Sequence, residues 1–236
     1  MNEQKEYTRL FNKKMMKKFM YVLVMLLMMM FAEGKGVMAQ YDAKAKKILD
    51  AMSTKYQSIP SFSANITYTL ENKEDDIYES FEGEIGIKGE KFRLVAIEQE
   101  IIINDGNVWT YLVDENEVNI DTFDPEEDDV TPSNIYSLYK SGYKYMLFGE
   151  KTIDGENYDI VDMSPEDKES DYFRIRLVIS KNNKVLRRFT LFAKSGNHYI
   201  YDITEFNSKA NLPDSYFVFD INKHKDVEVI DLRIDN

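Results

Sequence analysis

The sequence predicts a mainly β fold (α+β) built around an antiparallel sheet. Apolar and polar residues alternate along most of the chain, which is the two-residue period of a half-buried strand. Short turn sequences separate these segments, and too few residues lie between them for the crossover helices that a parallel sheet requires. Only two segments show the three- and four-residue spacing of an amphipathic helix.

The first predicted helix runs from Tyr41 to Ile59 and ends before Pro60, because the residue that precedes a proline is disfavoured in the α conformation. Its apolar face carries Ala45, Ile48, Leu49, Met52 and Tyr56. Six short strands follow. They are predicted at Phe62–Leu70, Phe81–Lys88, Lys91–Ile97, Glu100–Ile103, Val108–Val113 and Val118–Phe123.

The second predicted helix spans Ile135 to Met146, with Gly149 as its stop signal. A second block of five strands is predicted at Tyr158–Met163, Tyr172–Lys181, Lys184–Ala193, His198–Phe206 and Tyr216–Asp220. The total is therefore about 11 strands. We find no linker between the two blocks, so residues 40–236 are predicted to form a single domain.

The N-terminus has the pattern of a secretory signal peptide. Basic residues precede an apolar run from Phe19 to Ala32, which is too short to span a bilayer. The Val37-Met38-Ala39 sequence fits a cleavage site, so we predict a signal peptide at 1–39; an uncleaved membrane anchor is the alternative. The chain contains no cysteine to carry a lipid, which predicts a released protein in the periplasm.

Charge and motif content exclude several classes of function. Removing residues 1–39, with a net charge of +4, changes the net charge from −12 to −16, which disfavours nucleic-acid binding. Common enzyme motifs are missing, so we predict a non-enzymatic protein without a cofactor. With no cysteine and only His198 and His224, we also predict no metal site. We interpret the acidic run 124–129 as a solvated loop.

The aromatic content is high, at 13% of residues including 16 tyrosines. The inward positions of the first strands carry large apolar side chains throughout. Such a stripe either packs as an ordinary core or curls around a cavity for an apolar ligand. The pattern alone leaves both interpretations open.

Several motifs, in order, resemble the periplasmic outer-membrane lipoprotein carrier family (LolA-like). The segment from Ala45 to Phe62 resembles the family's first helix and the start of its first strand. The later motifs are Gly83–Lys88 with Phe92-Arg93-Leu94, Asp105-Gly106 with Trp109 and Tyr111, Pro213–Phe219, and Val227–Leu232. The characteristic arginine of the family falls on Lys88, and Gly89 stands in place of the following proline. The positive charge is kept, but the planar guanidinium is lost.

The resemblance implies an incomplete antiparallel β-barrel with an α-helical lid that encloses an apolar cavity. The implied lining of the acyl-chain cavity is Phe62, Ile66, Phe81, Ile85, Ile87, Phe92, Leu94, Trp109 and Tyr111. The implied lid residues are Ile135, Leu138, Tyr139 and Met146.

The resemblance also implies a function. We expect a monomeric periplasmic carrier that takes lipidated proteins from an inner-membrane lipoprotein-releasing transporter and delivers them to the outer membrane. An outer-membrane acceptor is a further candidate partner. The alternative on the same fold is a carrier or sensor of another lipid or glycolipid. A periplasmic hydrolase is the least supported interpretation.

Overall fold

The computed structural model describes residues 42–123, 130 and 133–233. The predicted signal peptide and the acidic run 124–129 lie outside these residues. In this part of the chain one α-helix, α1 (Ala43–Gln57), precedes twelve strands. The strands are β1 (Phe62–Asn72), β2 (Ile77–Lys88), β3 (Lys91–Ala96), β4 (Gln99–Asn104), β5 (Asn107–Leu112), β6 (Glu117–Thr122), β7 (Tyr143–Ile153), β8 (Glu156–Pro165), β9 (Tyr172–Ser180), β10 (Leu186–Ala193), β11 (His198–Asn207) and β12 (Glu228–Asp231).

All twelve strands belong to one sheet. Its order is β12-β6-β5-β4-β3-β2-β1-β11-β10-β9-β8-β7. Every neighbouring pair is antiparallel except β12 and β6, which run parallel. Strands β12 and β7 are the two edges, so the sheet is not closed into a barrel. The prediction of a mainly β, antiparallel architecture is confirmed.

The main core lies on the face of the sheet that carries α1, which we call the inner face. The buried residues Ala45, Leu49, Met52 and Tyr56 repeat at the predicted three- to four-residue spacing. They pack against inward side chains from both halves of the sheet, including Ile85 of β2 and Leu177 of β9. Burial of this apolar stripe, rather than intrinsic helix propensity, is the main stabilisation of a helix of this length.

Asp42 joins the start of α1 to the edge strand β7. Its carboxylate Oδ1 accepts hydrogen bonds from the N–H groups of Lys44 (2.8 Å) and Ala45 (3.2 Å), which is a helix N-cap. The other oxygen, Oδ2, accepts from the N–H of Leu147 at 2.9 Å. These N–H donors, first that of Leu147 and then that of Ala45, lower the pKa of Asp42.

A second cluster covers the opposite, outer face of β4 to β6. It consists of Ile102, Tyr111, Val118, Phe217 and Phe219, with Trp109 and Tyr216 packed beside it. The chain after β11 supplies Phe217 from a short 3-10 helix, Asp214–Phe217, and then pairs with β6 as β12. The predicted strand Tyr216–Asp220 is therefore wrong.

The close approach of this C-terminal segment requires a glycine in β2. A Cβ atom on Gly86 would lie 2.5 Å from Cε1 of Tyr216 and 3.1 Å from Cδ1 of Leu212. The Tyr216 ring is held in place because Arg93 stacks over it at 4.8 Å and donates from Nη1 to the Tyr216 carbonyl at 2.6 Å.

The predicted helix from Ile135 to Met146 is also wrong. The residues from 133 to 137 form turns, a 3-10 helix spans Leu138–Lys140, and β7 begins at Tyr143. Gly142 adopts a left-handed conformation (φ 74°), which interrupts helical geometry. Beyond it Tyr143, Tyr145 and Leu147 alternate with exposed neighbours, and this two-residue period prevails over the helical spacing.

Candidate functional site

A large open groove lies where the end of α1 meets two turns of the sheet. Its volume is about 1050 Å³, just above the range of roughly 300–1,000 Å³ that is typical of small-molecule sites. The turns are those between β2 and β3 and between β4 and β5, and residues 133–137 form another wall. The apolar lining is Tyr56, Ile59, Phe62, Ile87, Ile103, Phe123 and Tyr136.

The polar residues of the groove lie mainly on its turns. Glu90 and Asp105 are exposed at the tips of the β2–β3 and β4–β5 turns, whereas Phe62 and Ile87 are buried. The groove therefore combines an apolar interior with a charged, solvated mouth. This arrangement suits an amphiphile whose tail is apolar and whose head stays in water.

A pair of stacked tyrosines separates the groove from the interior of the sheet. The rings of Tyr56 and Tyr136 are parallel to within 3°, with centroids 4.9 Å apart. Tyr56 is fixed from the other side, because the Leu186 N–H donates to its hydroxyl at 3.1 Å. Burial raises the pKa of Tyr56, so this hydroxyl stays neutral at physiological pH.

Behind the tyrosine pair lies a small cavity of only about 20 Å³. Its lining is apolar and includes Tyr56, Phe62, Ile66, Ile85 and Ile135. This is roughly the space of one water molecule. The inner face in this structure is therefore mostly packed core, and the groove in front of the tyrosines is the larger space.

The predicted cavity residues divide among these environments. Phe62 lines both spaces and Ile87 lines the groove, while Ile66 and Ile85 line the small cavity. Phe92 and Leu94 are buried in the main core. Phe81 is half-buried against Tyr68, with ring centroids 4.8 Å apart.

Trp109 and Tyr111 are placed differently from the sequence prediction. Both lie on the outer face of β5, where Tyr111 is buried beside Phe219 with ring centroids 5.3 Å apart. Their alternation along the strand was assigned correctly, but the face was not. Because the C-terminal segment covers the outer face here, β5 carries apolar residues on both faces, and the apolar pattern of the strand does not show which face is the inner one.

The four predicted lid residues are not on one helix. Ile135 and Tyr139 are buried in the main core and Leu138 packs against it, whereas Met146 is 56% exposed on the outer face of β7. The Tyr139 hydroxyl donates to Asp50 Oδ1 of α1 at 2.8 Å. Burial, and then this hydrogen bond, raise the pKa of Tyr139 to about 12.

Lys88, at the family's arginine position, binds the C-terminal segment. Its Nζ donates to the Leu212 carbonyl and contacts Asp214 Oδ1, both at 3.1 Å. Lys91 reaches the same carboxylate oxygen at 3.1 Å. The two ammonium groups, Lys88 first, lower the pKa of Asp214. Lys88 and Lys91 also line the groove, so this side of its mouth carries charges of both signs, with Glu90 on the same turn and Asp214 paired with the two lysines.

Two features of the groove were missed from the sequence. Tyr56 was assigned to the helix core and Tyr136 was not singled out. The helical stripe did signal Tyr56, but nothing local signals that a tyrosine far along the chain stacks on it. In the described part of the chain, no cluster of three potential metal ligands is present. Among the same residues, no helix has the length and apolar character to cross a membrane.

Comparison with known proteins gives a family match. The model of the family described as outer membrane lipoprotein carrier protein LolA matches residues 57–220. No curated protein matches the chain. The matched range contains strands β1 to β11 and both turns of the groove.

Two solved structures share the fold at low sequence identity, and a third is similar to a lesser degree. An uncharacterized conserved protein from Thermus thermophilus is 16% identical, with a TM-score of 0.53, over 80% of this chain and 99% of its own. Lipoprotein LppX from Mycobacterium tuberculosis is 11% identical, with a TM-score of 0.50, over 73% of this chain and 100% of its own. A LolA superfamily protein from Nitrosomonas europaea is 14% identical, with a TM-score of 0.42, over 75% of this chain and 98% of its own.

The family match extends over more than half of the chain, and the twelve-stranded sheet with α1 on its inner face agrees with it. The chain therefore belongs to the LolA family of outer membrane lipoprotein carrier proteins.

Proposed function

We propose that this protein is a periplasmic carrier that binds the acyl chains of lipoproteins and delivers them to the outer membrane. The observation that carries the proposal is the groove of about 1050 Å³, with an apolar interior and charged turns at its mouth. The family match supports the same function. No catalytic step is part of the proposal.

The energetics of such a site favour reversible binding. Burying a methylene contributes about 0.8 kcal/mol, so a chain of roughly 16 carbons contributes at most about 12 kcal/mol. Ordering the flexible chain and displacing side chains from the groove oppose this gain. A carrier has to release its cargo, and an open groove that buries part of an acyl chain meets that requirement.

The groove supplies a direct binding test. A fluorescent peptide with an N-terminal diacylglyceryl cysteine is titrated against the protein, with the same peptide lacking the lipid as the reference. We expect only the lipidated peptide to bind. Ile59 lines the groove and is half-buried, so Ile59→Arg is expected to weaken binding at least about tenfold by placing a charge against the acyl chain.

Ile97 provides the matched control. It is 84% exposed beyond β3 and is not part of the groove, so Ile97→Arg makes the same chemical change elsewhere. Circular dichroism and thermal unfolding check the fold of both variants. Equal loss of binding in the two variants, or full binding by Ile59→Arg, would contradict the groove as the site.

Cargo identification separates this proposal from the alternative carrier of another lipid or glycolipid. The protein is isolated from a periplasmic extract and its bound molecules are analysed by mass spectrometry. Lipidated proteins are expected. Free lipids alone would favour the alternative, and correct sorting of outer-membrane lipoproteins after depletion of this protein would refute delivery.

A further inference from the structure

The outer face of β7 to β10 carries a stack of alternating aromatic and guanidinium groups, which we call the arginine–aromatic stack. Its members, in spatial order, are Phe148, Arg176, Phe192, Arg174 and Phe173. The Arg176 guanidinium carbon lies 3.8 Å from the ring centroid of Phe148 and 6.0 Å from that of Phe192. The Arg174 carbon lies 3.9 Å from the Phe192 centroid and 5.6 Å from that of Phe173.

The apolar members of this stack are open to solvent. Phe148 is 55% and Phe173 is 50% exposed, and Met146 beside them is also exposed on β7. Phe148 lies at the β7 bulge between Leu147 and Gly149, which turns its ring onto Arg176. Exposed aromatic groups at this density are a feature of binding surfaces rather than of a solvated sheet face.

The two arginines differ in their charge partners. Arg176 forms a bidentate pair with Asp162, with both N–O distances at 2.7 Å. Within the described residues, no carboxylate forms a salt bridge with Arg174, and its Nε is buried without a hydrogen-bond acceptor. Arg174 therefore carries a positive charge over the Phe192 ring, with no carboxylate partner among those residues, in a chain of net charge −12.

These observations indicate what a ligand must supply. A guanidinium stacked on a ring keeps its edge N–H groups for hydrogen bonds. Because Nε of Arg174 is buried, the edge formed by its two Nη groups is the one that remains, and a carboxylate fits it with two parallel hydrogen bonds. The flanking phenylalanines and Met146 need apolar surface to cover them. Arginine and aromatic residues of this kind dominate the energetic centres of protein interfaces.

We propose that the arginine–aromatic stack is a docking site for a protein partner that presents a carboxylate between apolar side chains. The charge of the chain opposes approach to an anionic bilayer but leaves this local cation free to pair with a single carboxylate. None of the five stack residues lines the groove, so the site is separate from that of the proposed carrier function.

A defined peptide tests the site without knowledge of the natural partner. The probe is a short acetylated and amidated peptide with one glutamate between a leucine and a phenylalanine; its counterpart carries glutamine instead. Amide chemical shifts of the isotope-labelled full chain are followed during titration. We expect the glutamate peptide to shift amides of β7, β9 and β10, and to bind at least about fivefold more tightly than the glutamine peptide.

Substitutions then locate the interaction. Arg174→Met keeps much of the side-chain length and removes the charge, so it is expected to abolish the preference for glutamate. Lys144→Met is the matched control, because Lys144 is an exposed cation of β7 outside the stack. Arg174→Lys keeps the charge without the planar fork and is expected to keep only part of the preference.

Several results would overturn the proposal. The protein would bind the two peptides with equal affinity, or the chemical-shift changes would be confined to amides of the groove. Equally decisive would be the same loss of the glutamate preference in Lys144→Met, or no chemical-shift change at about 5 mM peptide. Stronger Arg174-dependent binding to vesicles of phosphatidylglycerol, or Arg174-dependent dimerisation in sedimentation experiments, would assign the surface to a membrane or a second copy instead. If Arg174→Met fails to fold, the comparison of the two peptides on the unsubstituted chain decides.

Discussion

The contact between Gly86 and Tyr216 gives a sharp test of how the C-terminal segment covers the sheet. In Gly86→Ala the new methyl group would lie 2.5 Å from Cε1 of Tyr216, well inside van der Waals contact. The ring cannot move freely, because Arg93, the cross-strand neighbour of Gly86, contacts the ring and binds the Tyr216 carbonyl. Overpacking of this kind costs about 1–3 kcal/mol of unfolding free energy.

A double-mutant cycle between positions 86 and 216, measured by urea unfolding, tests whether this cost arises from the contact with the Tyr216 ring. With Tyr216→Ala already in place, both ring contacts are gone, and Leu212 Cδ1 at 3.1 Å belongs to a flexible side chain that can yield. The same glycine substitution then becomes neutral or stabilises by up to about 1 kcal/mol, because alanine restricts the unfolded chain. The expected coupling between the two positions is therefore about 2 kcal/mol.

Gly149→Ala is the matched control, because a Cβ atom on this glycine of β7 has no atom within 4 Å. Its expected effect on the unfolding free energy is within about 0.5 kcal/mol. A Gly86→Ala cost that is equally large with and without the Tyr216 ring would refute the steric argument, as would a cost no larger than that of Gly149→Ala.

Three further predictions concern α1 and its contacts. Asp42→Ala removes acceptors from the first turn of α1 and from the Leu147 N–H, and is expected to cost about 1–2 kcal/mol at pH 7 in urea unfolding. Because folding lowers the pKa of Asp42, this stabilisation is fully present above the unfolded pKa of about 3.9 and is lost as the pH falls through the folded pKa. A difference in unfolding free energy between the two proteins that stays constant down to a pH of about 2 would contradict this prediction. Met52→Ala, at a fully buried position, is expected to cost about 2–5 kcal/mol, and a cost below about 1 kcal/mol would contradict its place in the core. Tyr139→Phe loses the hydrogen bond to Asp50 and should cost about 1 kcal/mol of unfolding free energy. Because folding raises the pKa of Tyr139, the difference in unfolding free energy between the two proteins should shrink only above a pH of about 10, which unfolding experiments at alkaline pH measure.

Much of the fold could be predicted because its signals are local. The stripe from Ala45 to Tyr56 identified α1, and Pro60 marked its end within three residues. Alternation placed most strands of the sheet within two residues of their bounds. The failures have physical causes. The β7 segment carries both periods, and the left-handed Gly142 and the pairing of β7 with β8 select the strand.

The sites were less accessible to sequence analysis, because they depend on residues that are distant along the chain. The groove assembles the end of α1 with two turns and with Tyr136. The arginine–aromatic stack draws on β7, β9 and β10, and none of its members forms a motif by itself. Burial of the outer face by Phe217 was equally hidden, since its own segment has no regular period.

The sheet order has a consequence for how the chain reaches this structure. Strands β1 to β6 form one consecutive meander and β7 to β11 form another, so each can assemble from near neighbours. The two meanders join through β1 and β11, where Asn65 contacts Glu205 across 140 residues. Such a distant pairing forms late, because closing the long loop costs entropy before any contact repays it. Until then β1 and β11 are both open strand edges with apolar inner faces, so a chain that ends before β11 is expected to aggregate or to exchange strands with another copy.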